Sequence, residues 1–306
     1  MREFMKLVFA LLVLGTSQAI AAQKETAPAA QVPAAKSSEP IATGLRVFTC
    51  GHSFHYFMPG ILADIATKAE IKGHEQVGVS AIGGSRVYQH WNVPDEKNKA
   101  KEALKAAKVD VLTLAPIFPP DDGIDNFAKL ALEHNPNIRI FVQESWLPFD
   151  IYDPTFTLRP KMVDHNAPTI EELRKLHAPA FKSWDDYVQA LNDKLGKQAV
   201  FIAPVGQAVV ALREKVIAGQ APGIKTQEDL FTDPLGHPKP ALMVLNGYVH
   251  YAVAYRRDPR GLPVPALLRF TNKSEGEELN TLLQEIAWTV ATQHPLSGVA
   301  AQAKTE

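Results

Sequence analysis

Residues 45–54 read Leu-Arg-Val-Phe-Thr-Cys-Gly-His-Ser-Phe, and this stretch decides the fold class. Its apolar residues run up to Cys50, as is typical of a buried β-strand, and Gly51 opens a turn. A helical pattern of apolar residues follows from Pro59 onward. A strand that passes through a tight turn into a helix is the basic unit of an α/β fold.

The rest of the chain continues this alternation of strands and helices. Apolar runs predict further strands at residues 75–80, 109–114, 138–142 and 199–203. Helical patterns lie at residues 95–108, 125–133, 183–195, 207–218, 238–255 and 277–293. We therefore predict an α/β domain with a mainly parallel sheet covered on both faces. Ligands in such folds bind at the carboxyl ends of strands, where Ser53, Gly84 and Ala115 fall.

Residues 144–182 interrupt the alternation with many Pro, Asp and aromatic residues. Such a long excursion is typical of a binding surface or a lid. Its aromatic residues either line a sugar site or pin the loop to the body of the domain. These are Trp146, Phe149, Tyr152 and Phe156.

The N-terminus indicates export. Arg2 and Lys6 flank a short apolar run at residues 7–14, and small residues follow it, as in a cleaved secretory signal. We predict a signal peptide at residues 1–22 and a periplasmic or secreted product. The apolar run is too short to span a bilayer, so no integral membrane span is expected after cleavage.

The composition of the remaining chain predicts three segments. Residues 23–43 are rich in Ala, Pro and Ser and predict a disordered linker. The folded domain is predicted at residues 44–295, and a flexible tail at residues 296–306. The hydrophobic content of 46% is ample for a sizeable core.

Charge and cysteine content exclude several classes of function. The net charge of -1, from interspersed acidic and basic residues, gives no field that attracts nucleic acid. A single cysteine, Cys50, permits no internal disulfide. His52 and His55 have no carboxylate at ligand spacing beside them, so we predict no metal.

Two segments carry the parts that acyl transfer requires: a nucleophilic hydroxyl, a base, and a group that orients the base. Ser53 lies in the turn after the first strand, where its hydroxyl would be exposed. Asp233-Pro-Leu-Gly-His237-Pro238 places a carboxylate and an imidazole on one loop stiffened by two prolines. The absence of a G-x-S-x-G motif argues against the larger α/β-hydrolase family.

Together these segments resemble the SGNH (GDSL-like) hydrolase family. Gly51-His-Ser-Phe54 is similar to the family's first block, with Ser53 as nucleophile, and Gly78–Ser85 is similar to its second. Asp233–Pro238 resembles the final D-x-x-H-P block, with one residue inserted. The resemblance implies a flavodoxin-like three-layer α/β/α sandwich, ester hydrolysis without a cofactor, and an oxyanion hole formed by the N–H groups of Ser53 and Gly84.

The third block departs from the family pattern. Where Gly-x-Asn-Asp is usual, this chain has Leu114-Ala-Pro-Ile117, so the asparagine that would donate to the oxyanion is missing. Gln143, after the next strand, is one candidate for a substrate contact, and Trp146 is another. Loss of one such donor typically lowers turnover by about two to three orders of magnitude.

The sequence therefore predicts an exported serine esterase that acts on small acyl groups, with a small molecule or a carbohydrate as the alcohol. The catalytic residues would be Ser53, Asp233 and His237. One alternative is a catalytically weakened SGNH-like domain that binds a glycan or a protein partner. A second alternative is a lipase or thioesterase, for which Phe54, Phe57 and Met58 would line an acyl tunnel.

Overall fold

The computed structural model describes Ser37, residues 39–268 and residues 272–300. The predicted signal peptide at residues 1–22 lies outside this part, as does most of the predicted linker at residues 23–43. The predicted folded domain lies almost entirely within it.

Within the described residues, five parallel strands form one sheet. They are β1 (Arg46–Gly51), β2 (Glu75–Ala81), β3 (Val111–Leu114), β4 (Arg139–Gln143) and β5 (Val200–Ala203). Their order is β2-β1-β3-β4-β5, the strand order of a flavodoxin-like sheet. The predicted fold class, a three-layer α/β/α sandwich, is confirmed.

Helices connect the strands and cover both faces of the sheet. They are α1 (Met58–Lys68), α2 (Val87–Trp91), α3 (Lys99–Lys105), α4 (Asp122–His134), α5 (Ile170–Leu195), α6 (Val205–Ile217), α7 (Pro240–Tyr255) and α8 (Lys273–Gln293). Short 3₁₀ turns lie at Pro148–Asp150 and Gln227–Leu230.

The side chains of the strands alternate between two cores. Val47 of β1 packs in a cluster with residues of α1, α6, α7 and α8. Its neighbour Phe48, together with Cys50, packs in a second cluster with residues of α3, α4 and α5. Because successive side chains of a strand point to opposite faces, this alternation fixes which helices lie on each side of the sheet.

Helix α5 begins well before its predicted start at residue 183. Thr169 accepts a hydrogen bond from the Glu172 backbone, and the Glu172 side chain accepts from the Thr169 backbone, forming a capping box at the N-terminus. Pro179 lies inside the helix and does not end it. The irregular excursion predicted for residues 144–182 therefore ends at residue 169.

Two other boundaries also differ from the prediction. Pro238 lies outside α7 and pairs with Phe231 in an isolated bridge, whereas Pro240 occupies the first turn of the helix. The predicted flexible tail at residues 296–306 is packed over its first part, since Leu296 and Val299 are buried. The Ile202 N–H donates to the Leu296 carbonyl, so the packed domain extends past residue 295.

The topology marks one edge of the sheet as the place for a ligand. The chain crosses from β1 to β2 on one side and then returns to β3 on the other. The loops after β1 and β3 therefore diverge and leave a crevice at their carboxyl ends. Ser53 lies in the loop that follows β1.

Candidate active site

The turn between β1 and α1 presents Ser53. The His52 carbonyl accepts hydrogen bonds from the N–H groups of His55 and Tyr56, at 2.9 and 3.0 Å, and these bonds close the turn. A Cβ atom on Gly51 would lie 2.6 Å from the His55 ring, so only glycine fits before the turn. These contacts bring Ser53 to the carboxyl end of β1 with a half-buried side chain.

A second tight loop, residues 231–238, carries Asp233 and His237. The Thr232 N–H donates to the His237 carbonyl at 2.9 Å, which closes the base of the loop. Asp233 Oδ1 accepts from the N–H groups of Gly236 and His237, at 3.1 and 3.2 Å. Gly236 has a φ of 92°, a conformation that glycine adopts without strain.

The structure brings these three side chains into one hydrogen-bonded chain. His237 Nδ1 donates to Asp233 Oδ2 at 2.5 Å, and Ser53 Oγ donates to His237 Nε2 at 2.8 Å. Burial by itself would raise the pKa of Asp233, but hydrogen bonds from the His237 side chain and backbone outweigh it and lower this pKa. Asp233 is therefore a carboxylate that fixes the tautomer of His237, with Nε2 left to accept from Ser53.

Gly84 lies across the crevice from Ser53 and lines the same cavity. Its φ of 61° is in the left-handed region, which favours glycine. Among the residues that the structure describes, the backbone N–H groups of Ser53 and Gly84 donate to no other group. Two free donors therefore border the serine hydroxyl.

His90 stabilises the loop that carries Gly84. One ring nitrogen of this buried residue contacts Ser80 Oγ at 2.7 Å, and the other contacts Ser85 Oγ at 2.8 Å. Burial lowers the pKa of His90 to about 4, so the ring is neutral at physiological pH. His90 thus ties the end of β2 to the residue after Gly84.

The cavity beside Ser53 is small, with a volume of about 30 Å³. Its walls are mostly apolar and include bulky rings. The lining residues are His52, Ser53, Phe54, Gly84, Pro116, Ile117, Ser145, Trp146, Pro148, Phe156 and Leu235.

His52 links the serine turn to the loop after β3, where the sequence lacks the family's third block. Its Nδ1 accepts from the Phe54 N–H at 3.3 Å, and its Nε2 donates to the Pro116 carbonyl at 3.4 Å. Burial lowers the pKa of His52 to about 4. His52 is therefore a neutral residue that fixes the loop after β3.

Gln143 does not contact the cavity, contrary to the sequence prediction. Its side chain is fully buried beneath the serine turn, and all its polar atoms are engaged. Oε1 accepts from His55 Nδ1 at 2.6 Å and from Asn246 Nδ2 at 3.0 Å. Nε2 donates to the Phe54 carbonyl at 3.0 Å and to Ser145 Oγ at 2.9 Å. The structure makes Gln143 a support for the site.

Ser145, which the sequence analysis did not single out, lines the cavity. Its Oγ accepts from Gln143 Nε2, and its proton has no protein acceptor within the described part of the chain. The same Nε2 donates to the Phe54 carbonyl, so the Gln143 amide links Ser145 to the residue that follows Ser53. No local motif marks Ser145 in the sequence.

Trp146 forms a wall of the cavity, but little of its surface is accessible. The ring is 1% exposed and stacks on Phe54 with 4.4 Å between ring centroids. Its indole N–H donates to the Gly236 carbonyl at 3.0 Å, so the one polar group of this side chain is engaged. Trp146 therefore shapes the cavity and secures the loop of His237.

The other aromatic residues of the excursion lie in different surroundings. Phe156 lines the cavity, and the Arg159 guanidinium lies 3.8 Å from its ring centroid. Tyr152 packs edge-on against Phe118 and attaches the segment to the loop after β3. Phe149 lies under the same guanidinium at 5.9 Å.

The described residues contain neither a candidate metal site nor a membrane-spanning helix. No group of three or more His, Cys, Asp or Glu side chains within them is arranged to hold a metal ion. No helix in the described ranges is long and apolar enough to cross a membrane.

No protein-family model and no curated protein matches the chain. Solved structures that resemble it include a DUF4886 family protein from Bacteroides uniformis, with 13% identity and a TM-score of 0.47, covering 81% of this chain and 94% of that chain. A provisionally assigned GDSL-like lipase from Parabacteroides merdae has 13% identity and a TM-score of 0.40. The match covers 71% of this chain and 97% of that chain.

A third solved structure is the periplasmic domain of a lipopolysaccharide acetyltransferase from Salmonella ser. Paratyphi A. It has 12% identity and a TM-score of 0.39, covering 70% of this chain and 84% of that domain. These scores assign the chain to none of the three families, so its function has to be inferred from the geometry of its own site.

Proposed function

We propose that the protein is an exported serine esterase of the SGNH type that hydrolyses esters of small acyl groups. The observation that carries this proposal is the unbroken chain of hydrogen bonds from Ser53 through His237 to Asp233, at 2.8 and 2.5 Å. These hydrogen-bonded residues border a cavity that is also lined by Gly84, and the backbone N–H groups of Ser53 and Gly84 are free. Hydrolysis of an acyl-enzyme requires these parts together.

In the first half of the reaction, Ser53 Oγ attacks the ester carbonyl carbon while its proton passes to His237 Nε2. Asp233 stabilises the imidazolium that forms. Collapse of the tetrahedral intermediate breaks the bond to the alcohol oxygen, which takes the proton from His237. In the second half, water attacks the acyl carbon and gives a proton to His237. The bond between Ser53 Oγ and the acyl carbon then breaks, Ser53 Oγ takes the proton from His237, and the carboxylic acid leaves.

The developing oxyanion requires hydrogen-bond donors that are already in place. The N–H groups of Ser53 and Gly84 supply two. We assign the third to the hydroxyl of Ser145, because Gln143 occupies a lone pair of Ser145 Oγ and leaves the proton free for the cavity. Ser145 would then replace the asparagine that is missing after β3.

The shape of the cavity supports a small acyl group. Bulky side chains enclose the space beside Ser53, and its volume of about 30 Å³ lies well below the range of pockets for drug-sized ligands, so only a small group fits. Phe54, Trp146 and Phe156 would pack against a methyl or a short alkyl chain. For the alcohol we retain a small molecule or a carbohydrate.

The two alternatives fit the geometry less well. A binding module has no need for a serine aligned with a histidine and a carboxylate. A lipase requires an acyl tunnel, but Phe54 stacks on Trp146, and Met58 is fully buried. Phe57 lies in a separate surface groove with Met243.

Steady-state hydrolysis tests the proposal. The domain from residue 37 onward should hydrolyse p-nitrophenyl acetate faster than the butyrate, with little turnover of the octanoate. Ser53→Ala should lower kcat by about four orders of magnitude or more while leaving the thermal unfolding profile intact. Equal turnover by this variant would exclude Ser53 as the nucleophile, and a folded wild-type protein without turnover would favour the binding module.

A further inference from the structure

His165 contacts the loop of Asp233 and His237 from behind. The side chain is 1% exposed and lies in the segment before α5. Its Nδ1 is 2.9 Å from Asp150 Oδ2, and its Nε2 is 3.1 Å from the backbone carbonyl of Asp233. The Phe231 ring packs against the imidazole with 4.4 Å between centroids.

Both hydrogen-bond partners of His165 are acceptors. A carboxylate and a peptide carbonyl have no proton to donate, whereas a neutral imidazole has one N–H and one lone pair. Both contacts are hydrogen bonds only if both ring nitrogens carry a proton. The geometry therefore requires the imidazolium form.

The charges around His165 favour this form. Asp150 is a carboxylate because Arg213, which is fully buried, donates to both of its oxygens at 2.6 and 3.0 Å. Burial alone would lower the pKa of His165, but the bonds to Asp150 and to the Asp233 carbonyl outweigh burial and raise it. Glu228 adds a smaller favourable charge.

We propose that His165 is a positioning residue that acts through Asp233: as an imidazolium it holds the Asp233 carbonyl, and so keeps the Asp233 carboxylate aligned with His237. The inference rests on the proposed function, in which Asp233 orients the catalytic base. The hydrogen bond from the Trp146 indole N–H to the Gly236 carbonyl holds the other end of the same short loop.

The proposal implies a loss of alignment at alkaline pH. As pH rises through the raised pKa of His165, the ring loses one proton and one of its two hydrogen bonds. The remaining proton stays on Nδ1, because a lone pair there would face the Asp150 carboxylate, so the bond that is lost is the one to the Asp233 carbonyl. Turnover should fall over this range through kcat, with KM nearly unchanged.

Nuclear magnetic resonance of protein with ¹⁵N-labelled histidine tests the protonation state directly. His165, assigned by comparison with His165→Gln, should show two protonated ring nitrogens at pH 7 and should titrate above the ordinary pKa of histidine. A neutral His165 at pH 7 would overturn the inference, whatever the turnover measurements give.

The same variant tests the positioning role. His165→Gln should lower kcat by about 10- to 100-fold, remove the alkaline decline specific to His165, and shift the resonance of the His237 Nδ1 proton that bonds to Asp233. His74→Gln is a matched control, since His74 bonds to the Tyr255 hydroxyl at the opposite edge of the sheet.

The outcomes separate the two proposals. An unchanged kcat and an unchanged His237 proton resonance in a folded His165→Gln protein would overturn the positioning role. If the wild-type protein has no turnover, or if its turnover does not depend on Ser53, the proposed function is overturned. In that case the His237 resonance still decides whether His165 positions Asp233.

Discussion

Ser53 Oγ and His237 Nε2 lie 2.8 Å apart although 184 positions separate the two residues in the chain. The turn after β1 presents the serine, and the loop before α7 presents the histidine. Helix α1, which follows the serine turn, packs against α7 in the same apolar cluster. The alignment of the hydroxyl with its base therefore depends on the packing of these two helices.

Removal of the negative charge beside His237 should be nearly as damaging as loss of the serine. Asp233→Asn retains the size of the side chain but can present an amide N–H to His237 Nδ1, which favours the wrong tautomer. We expect kcat for p-nitrophenyl acetate to fall by about 10⁴-fold with little change in KM. A fall of less than about tenfold would show that Asp233 does not orient the base.

The Ser145 hydroxyl should contribute to turnover more than to folding. Ser145→Ala removes the third donor, and we expect kcat to fall by about 10- to 100-fold. Ser183→Ala is a suitable control because that hydroxyl caps a carbonyl inside α5, at Ala180. If both variants retain full kcat, the oxyanion has no need of Ser145.

The ring of Phe156 should limit the length of the acyl chain. Phe156 has a φ of 53°, and alanine would experience the same backbone conformation, so Phe156→Ala removes the ring without changing the backbone preference. The ratio of kcat/KM for the octanoate to that for the acetate should rise by about tenfold or more. An unchanged ratio would place the acyl group elsewhere in the cavity.

Glu144 should make the protein less stable at alkaline pH. Burial, with repulsion from Asp185, raises the pKa of this fully buried carboxyl well above its usual range. Because the folded pKa exceeds the unfolded one, stability is present at low pH and is lost as pH rises through the folded value.

Replacement of Glu144 by Gln should remove this dependence. We expect the free energy of unfolding at pH 8 to rise by about 1 kcal/mol, with a smaller change at pH 5. Denaturant unfolding at both pH values measures the difference, with the exposed Glu133→Gln as control. Equal shifts at both pH values would mean that Glu144 is ionised in the folded protein.

The sequence predicts the five strands and the longer helices in order, because strands such as Val111–Leu114 are apolar throughout and lie between helical patterns. The five-residue helix α2 is not predicted. The start of α5 differs from the prediction because residues 144–182 read as one excursion rich in Pro, Asp and aromatic residues, although Thr169 and Glu172 form a capping box. Leu296 reads as part of a polar tail, but it is buried where the chain returns to β5.

The candidate site could be predicted only in part. Ser53, Asp233 and His237 stand in short motifs, and the structure brings them together. The supports behind them depend on contacts between distant segments. Gln143 is buried under the serine turn, and His165 contacts Asp233 across 68 positions. Local patterns give no information about such contacts.

Covalent labelling tests directly whether Ser53 is an activated nucleophile. A fluorophosphonate reacts with a serine hydroxyl only when an adjacent base activates it. The protein should form one adduct, and peptide mass spectrometry should locate it on Ser53. Ser53→Ala should remain unlabelled, and Asp233→Asn should react much more slowly. An adduct on another residue, or none on the folded wild-type protein, would contradict the assignment of Ser53 as a catalytic nucleophile.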